Sequence, residues 1–324
     1  MRLGNLDDMG VYTERHLLLA EGLNDSAALS AALRRMADRY ATIGAPAFSR
    51  MIYEDATNVA REHDLLGPLG SALVNLAALL NSRDLPAAMN YAREAHEVAR
   101  RSGDLGNIDF AIGNHLTTSW QIGDMTATAS ALCDALDTAA DPIVRAALRT
   151  IEVWLADATG AAIPEPGADI LSSTDDDGVL AWQDSADLTR ALATGDTVLA
   201  AGIATESITH VLGAFRIEDD FCVLWPPLVL AALAAGDLDL AQRLLEPVEA
   251  ARPGQVSPAV AAHWHRLRGL ASAARGDDPE FAETEMRAGI TALDTFGAHG
   301  YRAQAQEELA RWLVAQHRPA DAQP

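Results

Sequence analysis

The sequence predicts an all-α chain of successive helix pairs, and three observations carry that prediction. Ala and Leu are abundant while Phe, Trp and Tyr together make up 5% of the residues, the balance of a helix-rich chain. Gly and Pro fall mostly between segments of helical apolar periodicity. The third observation is internal repetition. A Gly-Asp pair or its equivalent recurs at Arg83-Asp84, Gly123-Asp124, Gly195-Asp196, Gly236-Asp237 and Gly276-Asp277, with weaker echoes at Gly160 and at His317-Arg318-Pro319. The intervals of about 36 to 41 residues are those of helix-pair repeats.

Each marker reads as a corner between two helices. Gly closes one helix in a left-handed conformation, and Asp caps the next with its carboxylate. Small residues follow where helices must approach closely, with Ala88, Ala241 and Ala282 four or five positions past the turn. Met286, Ile290 and Leu293 then continue one apolar stripe. In chain order the turns predict helices near 10–22, 26–42, 47–63, 69–82, 84–101, 107–122, 125–139, 142–158, 179–194, 197–213, 219–235, 237–251, 256–275, 279–296 and 299–316.

Between the eighth and ninth, residues 163–178 carry two prolines, two serines and the run Asp175-Asp176-Asp177. This stretch reads as an acidic loop or hinge. It separates N-terminal helical repeats, 1–162, from C-terminal ones, 179–324, which could equally be segments of one continuous array. Residues 318–324 stop where a final second helix would begin, leaving the last repeat without a cap.

The length of 324 residues allows two or three domains. All 24 basic residues are Arg, and 46 acidic residues leave a net charge of −22. Such a surface repels phosphates and argues against nucleic acid. Without Lys there is no P-loop, Schiff-base or Ser/Lys chemistry. Cys133 and Cys222 lie far apart in apolar contexts, which predicts inert buried thiols and a reducing cytoplasm. No secretory leader is expected, and no uncharged apolar run is read as long enough for a membrane span.

The repeats resemble tetratricopeptide repeats. Trp225, Trp264 and Trp182 lie twelve, thirteen and fourteen residues before Asp237, Asp277 and Asp196, near the bulky first-helix position of that pattern. Asn75-Leu76-Ala77 with Leu80, then Ala88, Ala92 and Ala95, resembles its large-small-large signature. His115, Ser119 and Ala92 depart from it, as in degenerate repeats. The resemblance implies an α-solenoid. From about residue 220 onward, Leu-Trp-Pro-Pro-Leu at 224–228, Ala-Ala-Gly-Asp-Leu-Asp-Leu-Ala at 234–241, Ala-Arg-Gly-Asp-Asp-Pro-Glu at 274–280 and Glu-Leu-Ala-Arg-Trp-Leu-Val-Ala-Gln at 308–316 are similar to the C-terminal regions of large bacterial, actinobacterial-type regulators. In these an ATPase with a nucleotide-cyclase or LuxR-type helix-turn-helix module precedes the repeats. That resemblance implies a regulatory role beside an ATPase, cyclase or transcription regulator, as a stand-alone chain or a detached tail.

The chemistry-bearing motifs are weak. His263 and His265, two apart on a helix, point about 200° away from each other and cannot share a metal. His96-Glu97-Val98-Ala99-Arg100 lacks the second His of a zinc-protease motif. Asp175–Asp177 lacks the spaced ligands of a calcium loop, and Glu218-Asp219-Asp220 reads as helix capping. Trp182, Trp225 and Trp264 read as core, and no triad is found.

The expected function is therefore a non-catalytic interaction scaffold without cofactor or metal, using its concave surface to bind a peptide or partner domain with basic character. Arg145, Arg149, Arg266 and Arg268 are candidates for gripping acidic groups of that partner. Exposed apolar ends favour a homodimer. The alternative is a small-molecule sensor, with Asn75, Asn114 and His115 as buried polar contacts.

Overall fold

The computed structural model describes residues 6–165, 174–215, 217, 220–252 and 254–322. The protein is all-α, and among the described residues all fifteen expected helices are present with ends displaced by a few residues at most. It divides into two compact units, 1–115 and 116–324.

The first unit contains α1 (Leu6–Leu23), α2 (Ser26–Thr42), α3 (Pro46–Glu62), α4 (Leu66–Asn81), α5 (Leu85–Ser102) and the first part of α6 (Leu105–Ile122). Consecutive helices pack from α1 to α5, and α2 also meets α4. Small residues permit the close α2–α3 approach: Ser49 Oγ donates to the Ala37 carbonyl and Ser30 Oγ to that of Ala56, each at 2.9 Å. Tyr53, Leu76, Leu80 and Ala88 form one core cluster. Leu73, Ala60, Val98 and Ala111 belong to a second.

The second unit contains the end of α6, then α7 (Met125–Thr138), α8 (Pro142–Thr159), α9 (Asp177–Ala193), α10 (Thr197–Phe215), α11 (Phe221–Ala234), α12 (Leu238–Glu249), α13 (Pro258–Arg275), α14 (Pro279–Phe296), α15 (His299–Ala315) and a 3-10 turn, Pro319–Ala322. Each helix from α7 to α14 packs on the next, and contacts skipping one helix join α9 to α11, α10 to α12 and α11 to α13. α11 is buried almost all round and tolerates Pro226 and Pro227 inside it, because its helical neighbours fix its path.

The corners follow the expected grammar. Gly123, Gly195 and Gly236 have φ of 88°, 78° and 72°, and Asp124, Asp196 and Asp237 each accept a backbone N–H three residues on. At Gly276 the cap is Asp278 rather than Asp277. Asn24-Asp25 and Gly103-Asp104 form corners of the same kind that the 36-to-41-residue period does not mark.

Of the acidic loop, 166–173 lies outside the described residues. Asp176 is the N-cap of α9, accepting from Gly178 and Val179, and α8 packs on α9 across the loop. The two compact units meet within α6. Glu218 and Asp219 also lie outside the described residues, and Asp220 is the N-cap of α11 without a side-chain cap bond.

One expectation is corrected. Cys133 is exposed while Cys222 is buried. α10 spans 19 residues and is apolar enough by length and composition to cross a membrane, but Glu206 within it means that it is not an uncharged run. Ala200, Ala204, Ser207 and Val211 form its buried side.

Candidate functional site

In the second unit α13 separates two different chemistries on its two edges, and glycine makes this possible. A Cβ at Gly289 would lie 2.7 Å from the Arg266 backbone nitrogen, and one at Gly269 would lie 2.8 Å from that of Met286. The α13–α14 backbones therefore touch.

On the inner edge, His263 and Arg266 are buried. The Arg266 guanidinium forms a two-pronged pair with Glu308 of α15, Nε to Oε2 at 2.7 Å and Nη2 to Oε1 at 2.5 Å. Its Nη1 lies 3.5 Å from His263 Nδ1. Because Arg only donates, that nitrogen carries the lone pair and the imidazole is neutral. Burial, reinforced by the Arg266 charge, holds His263 well below its ordinary pKa. Its ring meets Tyr301 edge-on at 4.6 Å, and the Tyr301 hydroxyl accepts from Trp120 Nε1 at 3.2 Å. Burial pushes the Tyr301 phenol above its ordinary value. Trp120, Trp154 and Trp182 continue as ring neighbours at 5.5 and 5.7 Å. This is interior architecture, and it spends Arg266 on an internal carboxylate.

On the outer edge, Trp264, His265 and Arg268 face Phe281 and Glu285 of α14. The Arg268 guanidinium lies 4.2 Å from the Trp264 ring centroid and 4.8 Å from that of Phe281. Its Nε is 3.1 Å from Glu285 Oε2, which His265 Nδ1 also approaches at 2.9 Å. Glu285 is buried, whereas Arg268 is 29% exposed. A charge held by two ring faces and a carboxylate has lost much of its rotamer freedom before any partner arrives. This geometry suits reception of a carboxylate by the remaining N–H groups. Trp264 is half-buried rather than core, and its indole N–H has no acceptor among the described residues. Trp182 and Trp225 are core as expected.

The other expected site residues lie apart from this cluster. Asn75 donates to Asp38 at 3.4 Å, where Tyr53 also donates. Asn114 donates to the Val74 carbonyl at 2.9 Å, and half-buried His115 is likewise engaged. Arg149 pairs with Glu152 at 3.0 Å, and Arg145 has partners of its own. Phe281 and Glu285 were not singled out from sequence. Their signal was the order Phe281-x-x-x-Glu285, one helical turn on the face opposite Arg268.

A second accessible feature is a groove of about 570 Å³ between α14 and α15. Ile290, Leu309 and Leu313 line it, with Arg287 on the α14 wall and Glu307 and Asp321 on the other side. Ala322 packs against its apolar cluster.

Comparison with protein-family models and with curated proteins gives no match to this sequence. The class that the fold defines is an all-α protein of sequentially packed helices.

Proposed function

We propose that this chain is a non-catalytic interaction scaffold of tetratricopeptide-like helix pairs, serving a bacterial signalling or transcription-regulating system of the ATPase or cyclase kind. The observation that supports the reading best is the pattern of helix contacts among the described residues: helices pack on the next from α1 to α5 and from α7 to α15, and α2 with α4, α9 with α11, α10 with α12 and α11 with α13 also meet. Stacked pairs with that pattern build extended surfaces suited to peptides and partner domains. The net charge of −22 selects a partner with an Arg- or Lys-bearing surface. Within that contact Arg268 receives a partner carboxylate and fixes register.

Affinity capture from native lysate, with a charge-matched acidic protein as control, tests the proposal. The expected result is a specific partner recovered at about 0.05 M NaCl and largely lost near about 0.5 M, because screening removes the long-range attraction. Recovery of nothing beyond the control contradicts it.

A further inference from the structure

α15 packs on α14 and the 3-10 turn, and it buries a single stripe of Tyr301, Ala305, Leu309 and Leu313. The corner before it is sterically open: Gly297 has φ of 86° and nothing within 4 Å of a Cβ built there. Its N-cap, Ala298, makes no side-chain cap bond. A terminal helix with so little burial belongs to the low-stability end of a fold. What fixes its inner edge is polar. Glu308 takes both prongs from Arg266 of α13, and Tyr301 lies edge-on to His263 and accepts from Trp120 at the end of α6. Gly300 meets the same end through backbone, since a Cβ there would lie 3.0 Å from the Trp120 carbonyl oxygen. This berth requires a neutral His263, because Arg266 Nη1 faces its Nδ1 at 3.5 Å.

The groups packed around His263 leave a second positive charge unanswered. On α13 itself the facing group is Arg266, whose carboxylate partner Glu308 already accepts two N–H groups. α15 presents the Tyr301 phenol, and α11 presents Cys222, an electrostatic neighbour of that phenol. The charged side chains of α12, Asp239, Arg243, Glu246 and Glu249, are exposed. On α14, Glu285 serves His265 and Arg268 at the opposite edge of α13. Glu283 pairs with Arg287 and Arg318, Asp294 pairs with Arg302, and Glu280 is exposed.

We infer that α15 is an acid-released latch: a proton on His263 sets two cations face to face in the interior, and α15 leaves α13 and the end of α6 while the rest of the second unit stays folded. Release uncovers Trp120, Tyr301 and Arg266, all buried in the closed chain. Opening lets His263 bind a proton that the closed form refuses, so opening is favoured as pH falls below about 6.5. His299 is 52% exposed beside Asp294 and gains an ion pair on protonation. It acts the other way, and weakly, because solvent screens the pair. The latch needs no partner and goes beyond the scaffold reading.

Native-state hydrogen exchange of the full chain from about pH 7 to about pH 5, read by mass spectrometry and corrected for intrinsic rates, tests the inference. Amides of α15 should exchange faster than those of α9 and α11, and their opening constant should rise about twentyfold over that range. His263→Gln should remove most of the rise, whereas His265→Gln and His299→Gln should keep it. If His263→Gln does not fold, the imidazole resonances of the wild-type chain decide: His263 should take up a proton only as α15 loses protection. Exchange of α15 in step with α9 and α11, or without response to pH, overturns the inference. So does an acid response that survives in His263→Gln, or a His263 that protonates while α15 stays protected.

Discussion

The side chains that decide most in the second unit are those where α13 and α14 touch. Gly289→Ala should destabilise the protein by about 1–3 kcal/mol, because its methyl group would meet the Arg266 backbone, which cannot move aside as a flexible side chain could. Gly202→Ala in α10 meets nothing within 4 Å and should stabilise by about 0.5–1 kcal/mol. Urea unfolding of both variants measures the contrast. Arg266→Ala strands the Glu308 carboxylate and should cost about 3–5 kcal/mol, less if Glu308 is replaced by Leu at the same time. His263 adds a pH dependence. Its folded pKa is depressed, so its contribution is intact above the unfolded value of about 6.5. Below that pH protons favour the unfolded chain, and stability should fall by about 1 kcal/mol per pH unit toward pH 5. Unfolding free energies at several pH values should show this slope, flattened in His263→Gln.

At the scale of elements, the helices and their corners were legible because their causes are local. Gly236 supplies a positive φ and Asp237 a carboxylate three residues from the Leu240 N–H, all within one short stretch of sequence. Asp237→Ala should therefore cost about 1 kcal/mol, seen as a lowered melting temperature with little change in helix content. The Gly103-Asp104 corner uses the same chemistry, yet falls outside the period that marks the other turns. The α13–α14 cluster was half legible. Arg268 was singled out as a cation on a first helix, but its fixation depends on Phe281 and Glu285 and hence on how two helices cross. Arg266, two residues away, carried the same sequence signal and points into the interior. Helical spacing separates their directions, and only packing decides which one meets Glu308.

For the whole molecule, local signals say less about where compact units meet. The acidic stretch before α9, with its two prolines, reads as a loop or hinge in sequence, and α8 and α9 pack across it. The two compact units meet inside α6, where no Gly or Pro interrupts Asn114-His115-Leu116-Thr117. Contacts distant in sequence, such as Trp120 with Tyr301, join the end of α6 to α15 within the second unit. Net charge is the one global property that sequence states outright, and it frames the scaffold proposal. The most direct measurement compares wild-type and Arg268→Gln baits in one lysate at about 0.05 M NaCl, with melting temperatures confirming that both are folded. The account predicts a partner recovered with wild type and reduced at least about fivefold with the variant, the loss of about 1 kcal/mol expected for a charge-assisted contact. Equal recovery, or no partner with either bait, would contradict it.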